Sequence, residues 1–418
     1  MMLDHKRVVI TGLGATTPVG NSVQESWHNL VNGVSGIADL TLFDNTRLPV
    51  RFAGEVKNFD PLKYHKRKEV KRMARCSQFA VTTAIQAIED AGFSYPFDDE
   101  QAEHVGVIVG TSMGGFEKAE QGLRDYLLRG LNKVSPFSIP SALPNLSTFH
   151  VCIKLNAQGY SNTTATACAA GNIALIEAAE VIRRGQCDIM VAGGTDACIT
   201  EGTVLGFKIM RALSTRNDDP TQASRPFEAE RDGFVMSEGS AMFVLERLSH
   251  AQARGAKIYA ELLGGALSSD TYHIAAPDPQ ARGAIRAITW ALKNSQVDKA
   301  DIEYINAHGA STPLGDAAET LAIKTVFGDQ AYQIPVSSSK SMIGHAFGGA
   351  GAIEALACVK TVETGNIHPT INYHTPDPVC DLDYVPNEAR ETPVNIAMSN
   401  SFGLGGQNAC LVLRKFEG

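Results

Sequence analysis

The sequence predicts an α/β fold assembled from two similar halves, and three observations carry that expectation. Short unbroken apolar runs, Val105-Gly106-Val107-Ile108-Val109, Ile189-Met190-Val191-Ala192 and Ala241-Met242-Phe243-Val244-Leu245, have the length and composition of strands buried on both faces. Helical patterns with a wide apolar face lie between them, which layers helices over a sheet. An offset of 180 residues superimposes Gly171 on Gly351 and Gly185 on Gly365, so an apolar helix with a closing glycine occurs twice in step.

In chain order, the first run is Val8-Val9-Ile10-Thr11-Gly12-Leu13-Gly14-Ala15-Thr16. It invites a dinucleotide reading, but the third glycine of that fingerprint is missing and a Thr-Pro turn follows, so a turn at the mouth of the fold explains it better. Residues 66–75 carry six basic side chains in ten, by themselves the pattern of a solvated helix face. A helix over 80–88 leads into the strand at 105–109 and a glycine-rich loop at 110–115. The second half repeats this with a helix over 284–292, a strand at 302–306 and a loop at His308-Gly309. The halves split near residue 255, giving 1–255 with a candidate cysteine and 256–418 with two histidines and a lysine.

Composition narrows the function. The chain has 418 residues, 44% apolar and 20% charged, with no stretch as long as a membrane span. Its start lacks the apolar core of a secretory leader. Eight scattered cysteines form no CxxC pair and no zinc-ligand spacing, which fits a reduced, cytosolic compartment and no metal. A net charge of −8 argues against bulk binding of nucleic acid.

The chemistry concentrates in three places. Cys168 lies in Thr164-Ala165-Thr166-Ala167-Cys168-Ala169-Ala170-Gly171, small residues opening into an apolar helix. Free N–H groups and the dipole at a helix start favour thiolate, and small neighbours admit a substrate carbonyl. Cys187, Cys198 and Cys358 sit in apolar patterns and read as packing residues. His308, in Asn306-Ala307-His308-Gly309, ends a strand, where α/β sheets offer side chains to ligands. His345 follows Lys340-Ser341-Met342-Ile343-Gly344. Two imidazoles in glycine-flanked loops can both donate to one developing oxyanion. The remaining histidines read as surface or packing residues.

These motifs, with Val191-Ala192-Gly193-Gly194, Arg211-Ala212-Leu213-Ser214-Thr215, Arg231-Asp232-Gly233-Phe234-Val235 and Asn400-Ser401-Phe402-Gly403-Leu404-Gly405-Gly406, occur in one order along the chain. In that order they resemble the elongating beta-ketoacyl-acyl-carrier-protein synthases, types I and II, across essentially the whole sequence. The Cys-His-His set separates the chain from initiating synthases, and residues 403–406 lack the second catalytic cysteine of thiolases. The resemblance implies a thiolase-like five-layer αβαβα fold, a homodimer, and decarboxylative condensation of malonyl carrier protein with an acyl chain on Cys168. It implies no cofactor beyond the carrier's phosphopantetheine. It further implies His308 and His345 as enolate donors, Lys340 as their support together with Glu354, and an oxyanion hole from the backbone of Cys168 and Leu404. Met113, Phe207, Phe234, Thr312 and Phe402 would contact substrate, and Lys68, Lys71, Arg72 and Arg211 would dock the acidic acyl carrier protein.

Several positions depart from the family pattern. Ala310 stands where a threonine usually contacts the pantetheine arm, which would cost about 0.5–1.5 kcal/mol of binding. Leu404 replaces a gating phenylalanine, Gln407 a threonine, and Met113 an isoleucine of the acyl tunnel. A ketosynthase of a polyketide or aryl-polyene pathway would share the same catalytic set. A non-catalytic partner subunit would usually lack the cysteine that this chain keeps.

Overall fold

The computed structural model describes residues 7–417; residues 1–6, including His5 and the start on which the leader expectation rests, lie outside them. In the first half the strands are β1 (Val8–Thr16), β2 (Val105–Gly110), β3 (Ser161–Thr164), β4 (Ile189–Asp196) and β5 (Gly239–Arg247). In the second they are β6 (Ala260–Ser269), β7 (Tyr304–Asn306), β8 (Val336–Ser337), β9 (Ile396–Phe402) and β10 (Gln407–Lys415).

The ten are hydrogen-bonded in the order β8-β7-β9-β10-β6-β1-β5-β4-β2-β3. Counted outward from the middle, both halves run first, fifth, fourth, second, third. Directions match as well: β2 is parallel to β3 and β4, and β7 is parallel to β8 and β9. The other neighbours are antiparallel. The halves join where Val9 and Ile10 pair with Glu261 and Ala260. The two-half architecture expected from the 180-residue offset is therefore a repeated topology.

Six helices matter for the site: α1 (Arg75–Asp90), α2 (Leu146–Leu155), α3 (Ala170–Arg183), α4 (Arg282–Ser295), α5 (Pro313–Phe327) and α6 (Ala350–Thr364). α3 and α6 pack on each other and touch strands of both halves, while α1 and α2 cover one outer face and α4, with α5 beside it, covers the other. Strand alternation makes the five layers explicit. Ile108, Met190 and Leu411 face the central helices, whereas Val107, Val191 and Val412 face the outer ones. α3 and α6 are buried on nearly every face, as an apolar pattern without a polar stripe requires.

The two central helices meet at their first turns. A Cβ on Gly171 would lie 2.6 Å from the Ala352 amide nitrogen, and one on Gly351 would lie 2.9 Å from that of Asn172. This crossing sets the turns Ala167–Ala169 and Phe347–Gly349 side by side.

One expectation is corrected. The run at 8–16 is a central strand, buried throughout, and the turn begins only at Thr17, whose amide donates to Gly20 at 2.7 Å. Its glycines serve packing: a Cβ on Gly12 or Gly14 would stand 2.1 or 2.0 Å from the carbonyl oxygens of Ala87 and Thr83 on α1.

Candidate active site

Cys168 occupies the turn directly before α3, whose first amides have no side-chain cap, and is 8% exposed. The thiolate that a helix start favours is opposed here by burial. Burial pushes the thiol up, while the backbone amides of Leu404 and Cys168 and the charge of Lys340 pull it down, and the balance stays raised. The resting group is a thiol whose anion is supported by specific donors.

His345 supplies one of them, its Nε2 lying 3.0 Å from Cys168 Sγ. The Phe347 amide donates to its Nδ1 at 3.2 Å, so Nδ1 carries the lone pair. Burial and the Lys340 charge hold the ring's pKa well below its ordinary value. A neutral ring with an acceptor at Nδ1 has its proton on Nε2. His345 therefore donates to sulfur and cannot take its proton.

His308 lies edge-on to His345, ring centroids 5.4 Å apart, and is likewise kept neutral, first by burial and then by Lys340 and His345. Among the described residues its Nδ1 is buried without a hydrogen-bond partner. Lys340 is buried between the two halves of the site; its Nζ donates to the His308 carbonyl at 2.6 Å and to Glu354 on α6. Ser401 reaches the other oxygen of Glu354 at 3.4 Å. The buried cation thus has a carboxylate and a carbonyl, the compensation a desolvated charge needs.

Two carboxylates escaped sequence reasoning. Glu319 on α5 accepts from the amides of His308 at 2.9 Å and Gly309 at 2.7 Å, and burial raises its carboxyl to about 7 against those donors. Asp196, at the end of β4, accepts from Thr111, Ser112 and the Gly348 amide, tying the loop after β2 to the His345 loop. No motif flags either residue: Asp196 is a single acid in an apolar run, and Glu319 follows Asp316 by one turn of α5.

Met113, Phe207, Phe234, Ala310 and Phe347 pack in one cluster. Phe234 meets His345 edge-on at 5.5 Å and Phe207 at 5.4 Å. Phe402 lies 6.0 Å from the His308 ring. Leu404 sits in the tight turn 403–406 with its side chain 41% exposed while its amide faces the buried sulfur. Thr312 caps α5, its Oγ1 accepting from the Gly315 amide at 3.2 Å, which leaves the hydroxyl proton and a second lone pair for a ligand.

The basic residues lie on separate elements. Lys68, Lys71 and Arg72 are exposed on the short helix Arg67–Arg72, with the Arg72 guanidinium 4.6 Å from the Phe137 ring centre. Arg211 is exposed just beyond the helix Glu201–Ile209. Arg75 leaves the basic run altogether, paired at 2.7 Å with the buried Glu238. Surface clefts of about 740 and 580 Å³ line up along Arg183 and Trp290 and along Leu314 and Val379, and contain none of Cys168, His308 or His345. Convergence of polar groups, not cavity size, marks this site.

Residues 5–251 match the family described as "Beta-ketoacyl synthase, N-terminal domain", and residues 259–374 match "Beta-ketoacyl synthase, C-terminal domain". The chain belongs to the beta-ketoacyl synthase family. Within it, a "3-oxoacyl-[acyl-carrier-protein] synthase 2" of Synechocystis sp. is 49% identical over 415 residues, 99% of each chain. A beta-ketoacyl synthase from Burkholderia phymatum superposes with a TM-score of 0.90 at 35% identity, covering 98% of this chain and 100% of its own. A polyketide ketosynthase solved with its acyl carrier protein and a hexaketide gives 0.89 at 35%, covering 98% of this chain and 99% of its own.

Proposed function

We propose that the chain elongates acyl groups by decarboxylative Claisen condensation, converting acyl and malonyl carrier proteins into 3-oxoacyl-acyl-carrier protein for fatty acid synthesis. One observation carries this reading: a neutral His345 aims an N–H at Cys168 sulfur while a second neutral imidazole, His308, lies edge-on to it.

The steps follow from those groups. The Cys168 sulfur attacks the acyl thioester; the carrier's sulfur leaves and takes up the thiol proton. The backbone amides of Cys168 and Leu404 receive the oxyanion. Malonyl carrier protein then loses CO2, and its thioester oxygen becomes an enolate held by N–H groups of His308 and His345. The enolate carbon bonds to the acyl carbon, the bond between that carbon and Cys168 Sγ breaks, and the returning thiolate takes one proton from solvent. The aromatic wall at Phe234 favours the neutral CO2 over the carboxylate. Lys340 and Glu319 hold the His308 backbone from either side, so the imidazole arrives already oriented.

The only prosthetic arm in this scheme is the carrier's phosphopantetheine. Lys68, Lys71, Arg72 and Arg211 dock the carrier, and Met113, Phe207, Phe402 and Thr312 line the acyl and pantetheine path. We read the chain as two functional halves, 1–255 and 256–418, in a cytoplasmic homodimer. Exposed Leu127, Leu128 and Leu131 and the outer edge of β3, unpaired among the described residues, support the dimer. Among the described residues no helix is long and apolar enough to cross a membrane. The fatty acid pathway is preferred to a polyketide one because identity is 49% to a 3-oxoacyl synthase and 35% to the polyketide enzyme.

The test is product analysis with acyl and malonyl carrier proteins. The expected result is a 3-oxoacyl carrier two carbons longer with one CO2 released per turn. Release of CO2 without chain growth, or no reaction with any acyl length, would contradict the reading.

A further inference from the structure

Phe347 has no part in the steps above, yet it touches His345 twice. Its amide donates to Nδ1, and its ring lies stacked on the imidazole with centroids 5.1 Å apart and planes 14° apart. The ring also meets Phe207 at 5.4 Å and Phe234 at 5.8 Å, and Phe234 touches the imidazole as well, so the ring is held on more than one side. Its φ is +48°, a left-handed backbone that bulky residues disfavour. Ala167, 180 positions earlier, has φ +49°, so the turn itself demands this conformation. A small residue would meet that demand with less strain, and a phenylalanine held there points to a role for its ring.

We propose that Phe347 is a positioning residue whose amide and ring together lock His345 in the tautomer and plane that present Nε2–H to the reacting atoms. The inference rests on the condensation reading and adds to it the element that keeps one enolate donor neutral and aimed. A free imidazole exchanges its proton between both nitrogens and turns about its side-chain bonds. Here the amide occupies one nitrogen and the stacked ring removes the rotation and the water.

The segment 234–237 hydrogen-bonds the His345 backbone and sets the Phe234 ring against the imidazole, and the titratable groups around it lie on the other elements. Lys340 precedes it on its own segment, with Glu354 of α6 behind that lysine. His308 faces it from the loop after β7, and Cys168 from the turn before α3. Asp196 of β4 reaches its loop through the Gly348 amide. None of these replaces the Phe347 ring. Without the ring, water reaches the imidazole and its pKa climbs toward the ordinary value. A protonated ring loses the acceptor at Nδ1, so condensation fails first on the acid side.

The full-length enzyme is compared with Phe347→Ala, Phe347→Leu and Phe347→Tyr. Two rates are followed across pH: acyl loading of Cys168 by intact mass, and CO2 release from malonyl carrier protein. Phe347→Ala should slow CO2 release at least about tenfold more than it slows loading. It should also move the acid limb of CO2 release up by about half a pH unit or more. Phe347→Tyr should restore both, with Phe347→Leu between; if the alanine variant melts early, the leucine variant carries the comparison. Equal losses in both rates with an unmoved acid limb would leave Phe347 a packing residue and overturn the proposal. A wild-type enzyme that loads but never releases CO2 would instead remove the condensation reading, and this inference with it.

Discussion

The turn that carries Cys168 and the turn that carries Gly348 share one backbone and hold opposite occupants. Each is a single turn of three residues opening with a left-handed residue, Ala167 or Phe347, and each feeds a buried central helix. At position 168 there is a sulfur. At 348 there is no side chain, because a Cβ would stand 2.5 Å from the Ser112 amide nitrogen and 2.6 Å from Asp196 Oδ2. Three residues upstream the assignment reverses, with Ala165 in one half and His345 in the other. A duplicated fold has brought two equivalent helix starts together and divided the labour between them. On the proposed reading one half contributes the nucleophile, Cys168, and the other the proton donors, His308 and His345.

That division can be broken from either side. Cys168→Ala should lower condensation on the order of 10⁴-fold or more while leaving thermal unfolding nearly unchanged. Substantial residual chain extension would move the nucleophile elsewhere.

Lys340→Met should lower stability by about 3–5 kcal/mol, because it strands Glu354 as a buried charge. The dependence on pH has a defined sign. Burial already raises the Glu354 carboxyl from 4.5, and Lys340 opposes that rise. Removing the lysine raises it further, so the variant is least impaired below about pH 4.5 and loses stability as pH climbs through the new value. Denaturant unfolding of both proteins from pH 4.5 to 8.5 measures this, and a deficit that is flat with pH would mean Glu354 does not titrate.

Gly348→Ala tests the second turn. One added methyl must displace the Ser112 backbone or the Asp196 carboxylate, costing about 1–3 kcal/mol in a melting comparison. A neutral outcome would show that the Asp196 clamp yields freely. The smallest effect is expected farthest from the two turns. Reversing charge at Lys68 and Lys71 should raise KM for carrier-linked substrates about tenfold, more at low salt, and change acylation by small thioesters by less than about twofold. Equal loss with both substrate types would discard carrier docking at this helix.

Much of this comparison was legible in the sequence. Fixed spacing between glycines revealed the repeat, because helix length and the closing glycine are local properties that survive divergence. Cys168, His308 and His345 stood out because small or glycine neighbours surround a reactive group. The interior of the site was not legible. Glu319 and Asp196 act on backbone amides distant in sequence, and nothing local distinguishes them from surface acids. The tautomer of His345 depends on one amide, and the raised pKa of Cys168 on burial that a helix-start argument omits. At 8–16 the glycines misled: alternating with apolar residues they suggest a turn, whereas they admit the backbone of α1. Arg75 belonged to a basic run on paper and to Glu238 in space.

The most direct test follows one sulfur through a single cycle. The purified enzyme is charged with an acyl carrier protein, digested, and weighed peptide by peptide before and after malonyl carrier protein is added. The acyl mass should appear on the Cys168 peptide alone and vanish on addition, reappearing on the carrier two carbons heavier as its 3-oxo form. An acyl group on another residue, or one that stays on Cys168 while CO2 is released, would contradict the division between the two turns.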